Sequence, residues 1–297
     1  MDAHVPERLR VRRGAVAEVR RILPVLATIC LAGATCSCRL FSPSEEETEE
    51  ILVEEIPEAP CEEIEIAGSP SLPKPLQVMP YPSANHNARS RKVDTIVLHY
   101  TAIASLDTSL RVLSNAKSSD PVSAHYVVGT DGSVFRLVDE SRRAWHAGGG
   151  SWRGLEDLNS ASVGIEIVNA GYTANGSRPP YPDAQIASVI ALCKDIMTRH
   201  EIRWVIGHSD LAPGRKQDPG EHFPWKRLAE NGVGFWTDAF AAPYGSTKQM
   251  LIDIGYDPVD LPRTLAAFER HWYPEAITSG ATNVLGRLSA VARALRP

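Results

Sequence analysis

Thr95-Ile96-Val97-Leu98-His99-Tyr100, Ser162-Val163-Gly164-Ile165-Glu166-Ile167 and Trp204-Val205-Ile206-Gly207-His208 are the runs that decide the fold. Each is apolar and of strand length, and each ends on or encloses a group able to do chemistry. Between them the pattern changes. Residues 108–115 have helical character. From Asp183, which reads as a helix cap, Ile186, Val189, Ile190, Cys193, Ile196 and Met197 recur at spacings of three and four. That periodicity puts one apolar stripe against a sheet. Ser123–Val128 and Ser133–Val138 flank Gly129-Thr130-Asp131-Gly132, whose Asp-Gly is a hairpin signal. Strands alternating with helices predict an α/β domain over residues 90–235.

His99 and His208 stand at strand ends, so one edge of a sheet can present both. With Asp218, in Lys216-Gln217-Asp218-Pro219-Gly220, they make two imidazoles and a carboxylate. Zinc uses such a set in catalytic sites, where a fourth position stays open. A lone strand-end His is more often structural, but the set is stronger than its members. His208 and Asp218 lie ten residues apart across a loop that Pro213-Gly214 constrains. Glu166, inside the second run, is a carboxylate that is costly to bury unless paired, hydrogen-bonded or near a metal. Beside a metal it suits general-base work. In the competing reading it faces solvent, and alternation puts Ile165 and Ile167 in the core. Lys216 would point the same way as Asp218 in an extended segment and could stabilise an oxyanion. Alone it would be a solvated surface Lys. Together these residues imply a zinc hydrolase.

The chain, with 297 residues, is long enough for a well-buried core and two domains. Its net charge of -5 conceals a polarised N-terminus: residues 1–21 carry six Arg, and residues 45–65 carry eleven Glu and no Lys or Arg. The remainder is mildly basic, too weakly to predict nucleic-acid binding. Arg20-Arg21 precede the apolar stretch Ile22 to Thr35. That stretch suits a signal h-region and is shorter than the roughly 20 residues that span a bilayer. Leu31-Ala32-Gly33-Ala34-Thr35-Cys36 is a loose lipobox with Thr35 where Gly or Ala is usual, and Cys38 is the other candidate for lipidation. Residues 1–38 are therefore expected to be a signal peptide of lipoprotein type. The protein is expected to be exported to the periplasm and held at the outer membrane by a lipid anchor. An ordinary cleaved signal or a single anchor helix is the alternative. Residues 39–85, Glu-rich and then Pro-rich, read as a disordered tether. Cys61 and Cys193 offer no disulfide framework, and Cys193 reads as a small core residue. Thr247–Ile254, Leu261–Trp272 and Asn283–Leu295 read as helices of a small bundle over 236–297.

Five stretches resemble a family, in chain order. They are Ile96–Thr101, Val122–Val128, Ala144-Trp145-His146-Ala147-Gly148, Ser162–Asn169 and Gly207–Gly220. They are similar to the zinc-dependent N-acetylmuramoyl-L-alanine amidases of the amidase-2 type, the AmpD/AmiD-like enzymes. The resemblance implies an α/β fold with a mixed central β-sheet flanked by helices over 86–235, then the small C-terminal helical bundle. It implies zinc held by His99, His208 and Asp218, Glu166 as general base, and Lys216 stabilising the transition state. His125 and His146 match positions near the family's substrate cleft, which Trp145 and Asn169 would line. A buried hydrogen-bonded His and a packed Trp are the competing readings. The tail resembles the peptidoglycan-binding-like helical module of the AmiD-type lipoprotein branch. The expected reaction is hydrolysis of the amide between N-acetylmuramic acid and L-Ala, with peptidoglycan or muropeptides as partners. The rivals are a non-catalytic wall sensor, a zinc peptidase of the stem peptide and a cytosolic recycling amidase.

Overall fold

The computed structural model describes residues 76–173, 176 and 178–296. The expected leader at 1–38, with Cys36 and Cys38, and the tether up to residue 75 lie outside them. Strands β1 (Val78–Pro80) and β2 (His86–Ala88) lead into β3 (Thr95–Tyr100) and helix α1 (Leu106–Ser114). The expected hairpin follows as β4 (Tyr126–Val128) and β5 (Val134–Arg136), then β6 (Arg142–Ala144) and the short α2 (Leu158–Ala161). Next come β7 (Ser162–Ile167), α3 (Asp183–Met197), β8 (Trp204–Gly207), α4 (His208–Leu211) and α5 (Trp225–Glu230). The tail adds α6 (Thr247–Ile254), α7 (Leu261–Trp272), α8 (Glu275–Thr278) and α9 (Val284–Leu295).

Six strands form one sheet in the order β1-β5-β4-β7-β3-β8, while β2 and β6 pair apart from it. Within the large sheet only β4 and β5 are antiparallel. The sheet is thus mixed and flanked by helices, as the motifs implied. Its central strands are mostly apolar because both faces are covered. Ile96 and Leu98 of β3 meet Ile186, Val189 and Cys193 of α3 on one face. Val97 between them joins Ile206, Leu211, Met250, Leu251 and Phe268 on the other. Each such side chain, fully buried, contributes about 1.5–3 kcal/mol. The cap of α3 differs from expectation: Pro182 is the N-cap residue and Asp183 lies in the first turn. There its charge complements the helix dipole, and it pairs with Arg227.

Two expected boundaries are corrected. Part of the stretch read as tether belongs to the sheet, because β1 pairs in parallel with β5 at the sheet's edge. Pro80 is tolerated on an edge strand, where its missing N–H breaks no ladder. Beyond it Ser83 and Asn85 are buried, with Ser83 Oγ donating to the Leu113 carbonyl at 2.9 Å and Asn85 Nδ2 to that of Val122 at 2.8 Å. The tail, in turn, is not a separate bundle over 236–297, since α6, α7 and α9 share the second core with the sheet. Arg153 staples it: the guanidinium donates to the carbonyls of Ile254 at 2.6 Å and Leu295 at 3.0 Å. These bonds satisfy end carbonyls of α6 and α9 that their helices leave unpaired. The same guanidinium lies 4.2 Å above the Trp204 ring.

Candidate metal centre and its cleft

The parallel strands β7, β3 and β8 end together, and their carboxyl ends carry the chemistry, as open α/β sheets favour. His99 is the register partner of Glu166, and Leu98 that of Gly207, so His208 follows at the same edge. His99 Nδ1 lies 2.9 Å from His208 Nδ1 and 3.1 Å from Asp218 Oδ2. His208 Nδ1 lies 3.0 Å from the same oxygen. All three residues are buried.

The surrounding hydrogen bonds assign the tautomers. Ser162 Oγ donates to the Leu158 carbonyl, which can only accept. Oγ therefore accepts from His146 Nε2 at 3.3 Å, and His146 Nδ1 accepts from His99 Nε2 at 3.0 Å. His99 Nδ1 keeps its lone pair. His208 Nε2 donates to the Ala147 carbonyl at 2.9 Å, so its Nδ1 is likewise bare. Two lone pairs and a carboxylate oxygen thus converge with no donor between them. Burial and then His208 push the His99 imidazole down to about 4, so it stays neutral. A tetrahedral ion with bonds of about 2.0–2.1 Å sets neighbouring donors roughly 3.3 Å apart. The trio fits a metal ion with a small relaxation.

Glu166 sits beside this group and lines the same cleft. Its Oε2 is buried with no hydrogen-bond partner among the described residues. Burial first, then Asp218, raises its carboxyl well above the usual range, with Lys216 opposing. The solvent-facing reading of Glu166 is not what the fold adopts: the carboxylate lies on the His99 face, towards the cleft. Lys216 is half-buried and lines the cleft.

The cleft encloses about 420 Å³. Exposed Val112 and Val122, with Ile103 and Leu113, give it apolar lining, and Arg215 and Gln217 add to the polar part. Trp145 lines it too, its indole N–H donating to Asn87 Oδ1 at 3.1 Å. His146 reaches the cleft, but both its ring nitrogens belong to the chain that orients His99. Gly164 makes room for that ring: a Cβ there would lie 2.4 Å from His146 Cγ. The other two expected cleft residues do not line this cavity. His125 is fully buried, its Nδ1 accepting from the Gly164 N–H at 2.9 Å and its Nε2 facing Arg89 at 2.8 Å. Asn169 is spent on its own loop, donating to the Pro179 carbonyl and accepting from the Gly171 N–H. Sequence reasoning missed Asn159, whose Oδ1 accepts from the backbone N–H groups of both His146 and Ala147. It fixes the segment that orients both imidazoles. An Asn in an unremarkable Leu-Asn-Ser-Ala stretch carries no signal for that role.

Comparison with known proteins agrees with this geometry. The profile of the family described as N-acetylmuramoyl-L-alanine amidase (Amidase_2) matches residues 89–221. The N-acetylmuramoyl-L-alanine amidase AmiD of Escherichia coli K12 is 36% identical over 214 residues, covering 62% of this chain and 76% of AmiD. The structure of E. coli AmiD with the substrate anhydro-N-acetylmuramic acid-L-Ala-D-gamma-Glu-L-Lys superposes with a TM-score of 0.59 at 34% identity. That match spans 70% of this chain and 91% of the other. AmpDh3 of Pseudomonas aeruginosa gives 0.59 at 33% identity, over 69% of this chain and 91% of its own. With the His-His-Asp trio, the fold and these likenesses in agreement, the chain belongs to the amidase-2 family of N-acetylmuramoyl-L-alanine amidases, hydrolases of peptidoglycan catabolism.

Proposed function

We propose that the metal is zinc, held by His99 Nδ1, His208 Nδ1 and Asp218 Oδ2, and that the substrate is peptidoglycan or a muropeptide. The observation that carries this reading is the convergence of three acceptors beside a buried, unpartnered carboxylate oxygen of Glu166. A bound zinc supplies Lewis acidity, polarising a carbonyl oxygen and making water acidic near neutral pH. Glu166 accepts a proton from the attacking water as its oxygen bonds to the lactyl carbonyl carbon. Its raised proton affinity suits a base that must hold that proton and give it up again. As the C–N bond breaks, the same carboxyl hands the proton to the departing L-Ala nitrogen. Lys216 donates to the oxygen that gathers negative charge.

The test is the zinc-loaded protein incubated with purified muropeptide, the products weighed by mass spectrometry. Free stem peptides beginning at L-Ala, lost on chelation and restored by zinc, are expected. Cleavage inside the stem peptide would replace this reading by a peptidase. We also propose that residues 1–38 direct export and that Cys36 or Cys38 carries a lipid; the basic and apolar blocks of the leader support this. Fatty-acid labelling of Cys36→Ser and Cys38→Ser chains tests it, and label retained in the double variant would refute it.

A further inference from the structure

Two residues past His208 lies a second carboxylate, Asp210, fully buried in α4. Its Oδ2 accepts from the Gly207 N–H at 2.7 Å and from His271 Nδ1 at 2.6 Å. Its Oδ1 accepts from the Tyr256 hydroxyl at 2.6 Å. Trp272 Nε1 donates to the Tyr256 oxygen at 3.2 Å, so the hydroxyl proton is committed to Asp210. The His271 ring is stacked between Trp225 and Trp272, with centroids 3.7 and 3.8 Å away. None of these partners is free to swing out. Tyr256, His271 and Trp272 all come from the tail, 46 residues or more beyond Asp210. Gly207, which Asp210 pins, is the junction where β8 becomes α4 and where the chain turns to aim His208. The next residue, Ser209, donates its N–H to the Asp218 carbonyl at 2.9 Å, so the same turn also fixes the third ligand's backbone.

We propose that the C-terminal helices hold the metal-ligand turn in register through Asp210, which is thereby a positioning residue of the metal centre. This rests on reading His99, His208 and Asp218 as the zinc ligands. Metal donors must be held within about 0.5 Å of their working geometry, and a backbone junction between strand and helix does not supply that by itself. A charge-assisted bond to the Gly207 N–H does, provided the carboxylate is itself anchored. Tyr256 and His271 anchor it. The tail's shared core with the sheet therefore has a consequence for chemistry as well as for stability.

The experiment measures zinc dissociation constants of the full chain by competition with a chromophoric chelator, well below the melting temperature. Thermal melts of the metal-free proteins and kcat and KM on muropeptide accompany it. Asp210→Asn is expected to weaken zinc about 10–100-fold and Tyr256→Phe about tenfold, each lowering kcat with KM little changed. Tyr244→Phe is the control, since Tyr244 bonds Asp253 at 2.6 Å in the same helical region but outside the network. It should lower the melting temperature and leave zinc affinity alone. If Asp210→Asn does not fold, Tyr256→Phe decides the matter, because it keeps the bonds from Gly207 and His271. Lower melting with wild-type zinc affinity in both variants would overturn the inference and leave a purely structural knot. A wild type that binds no zinc overturns the ligand assignment, and this inference with it.

Discussion

Asp218 and Asp210 lie eight residues apart, both buried, both close to His208, and their surroundings are opposite in kind. Around Asp210 each carboxylate oxygen has a donor: a backbone N–H, an imidazole and a phenol. Around Asp218 the neighbours are bare imidazole nitrogens, which offer lone pairs. A buried carboxylate among acceptors is unfavourable unless a cation joins it, whereas one among matched donors is at rest. Burial and charge alone do not separate site from scaffold here; the direction of the hydrogen bonds does. Glu166, with a buried oxygen that lacks any partner among the described residues, falls on the site side of that line.

The harshest way to break the contrast is to remove a ligand. His99→Ala or Asp218→Ala should abolish zinc binding and drop turnover to the uncatalysed background, read by metal analysis and product mass. Residual activity that survives in both would mean the converging acceptors are not the centre. Glu166→Gln comes next. It should keep zinc at one per chain and lower kcat by about 10²–10⁴-fold, the usual range for a lost general base. A loss below tenfold would return Glu166 to a structural role. Gly164→Ala is a subtler probe, since the atoms nearest its new Cβ would be those of the His146 ring, at a colliding distance. Displacing that ring frees the His99 tautomer, so zinc affinity should fall about tenfold, with a stability cost of about 1–3 kcal/mol. Unchanged affinity would show that His99 needs no such support.

The parts that were legible in sequence share a cause. β3, β7 and β8 are apolar because both faces of the sheet are covered, and their chemistry stands at strand ends, so pattern and function coincide. The helices of the tail were legible too, but not their place: Thr247–Ile254 and Leu261–Trp272 read as helices without any sign that their Leu251 and Phe268 share a core with Val97 and Ile206. β1 was hidden because Pro80 and its Pro-rich surroundings look like tether, and only its pairing with β5 makes it a strand. His125 and His146 were indistinguishable as residues. What separates them is Arg89, which faces the first, and Gly164, which gives room to the second, and neither pairing leaves a periodic trace. Asp210 stood inside a quoted motif, yet its partners come from the far tail, beyond the reach of local spacing.

The smallest effect sharpens the scaffold side of the comparison away from the cleft. Glu140 accepts from the Tyr126 hydroxyl at 2.6 Å, from Arg199 at 2.8 Å and from His200 Nε2 at 2.6 Å. Burial alone would raise its carboxyl, but the bonds from Arg199, Tyr126 and His200 outweigh it and bring it from 4.5 down to about 2. A folded pKa below the unfolded one stabilises the protein fully above about 4.5, and that stabilisation is lost as the pH falls towards about 2. Arg199 is 41% exposed, so solvent screens the pair and the contribution is reduced to about 1–2 kcal/mol. Glu140→Gln should therefore melt lower than wild type at pH 7, with the gap narrowing steadily below about pH 4.5 and with muropeptide turnover at neutral pH unchanged. A gap that stays constant into acid would mean that packing of the side chain, and not its ionisation, is what the fold uses. Glu140 would then be a carboxylate whose donors hold its shape more than its charge, and the distinction between matched and unmatched acids would apply only near the metal centre.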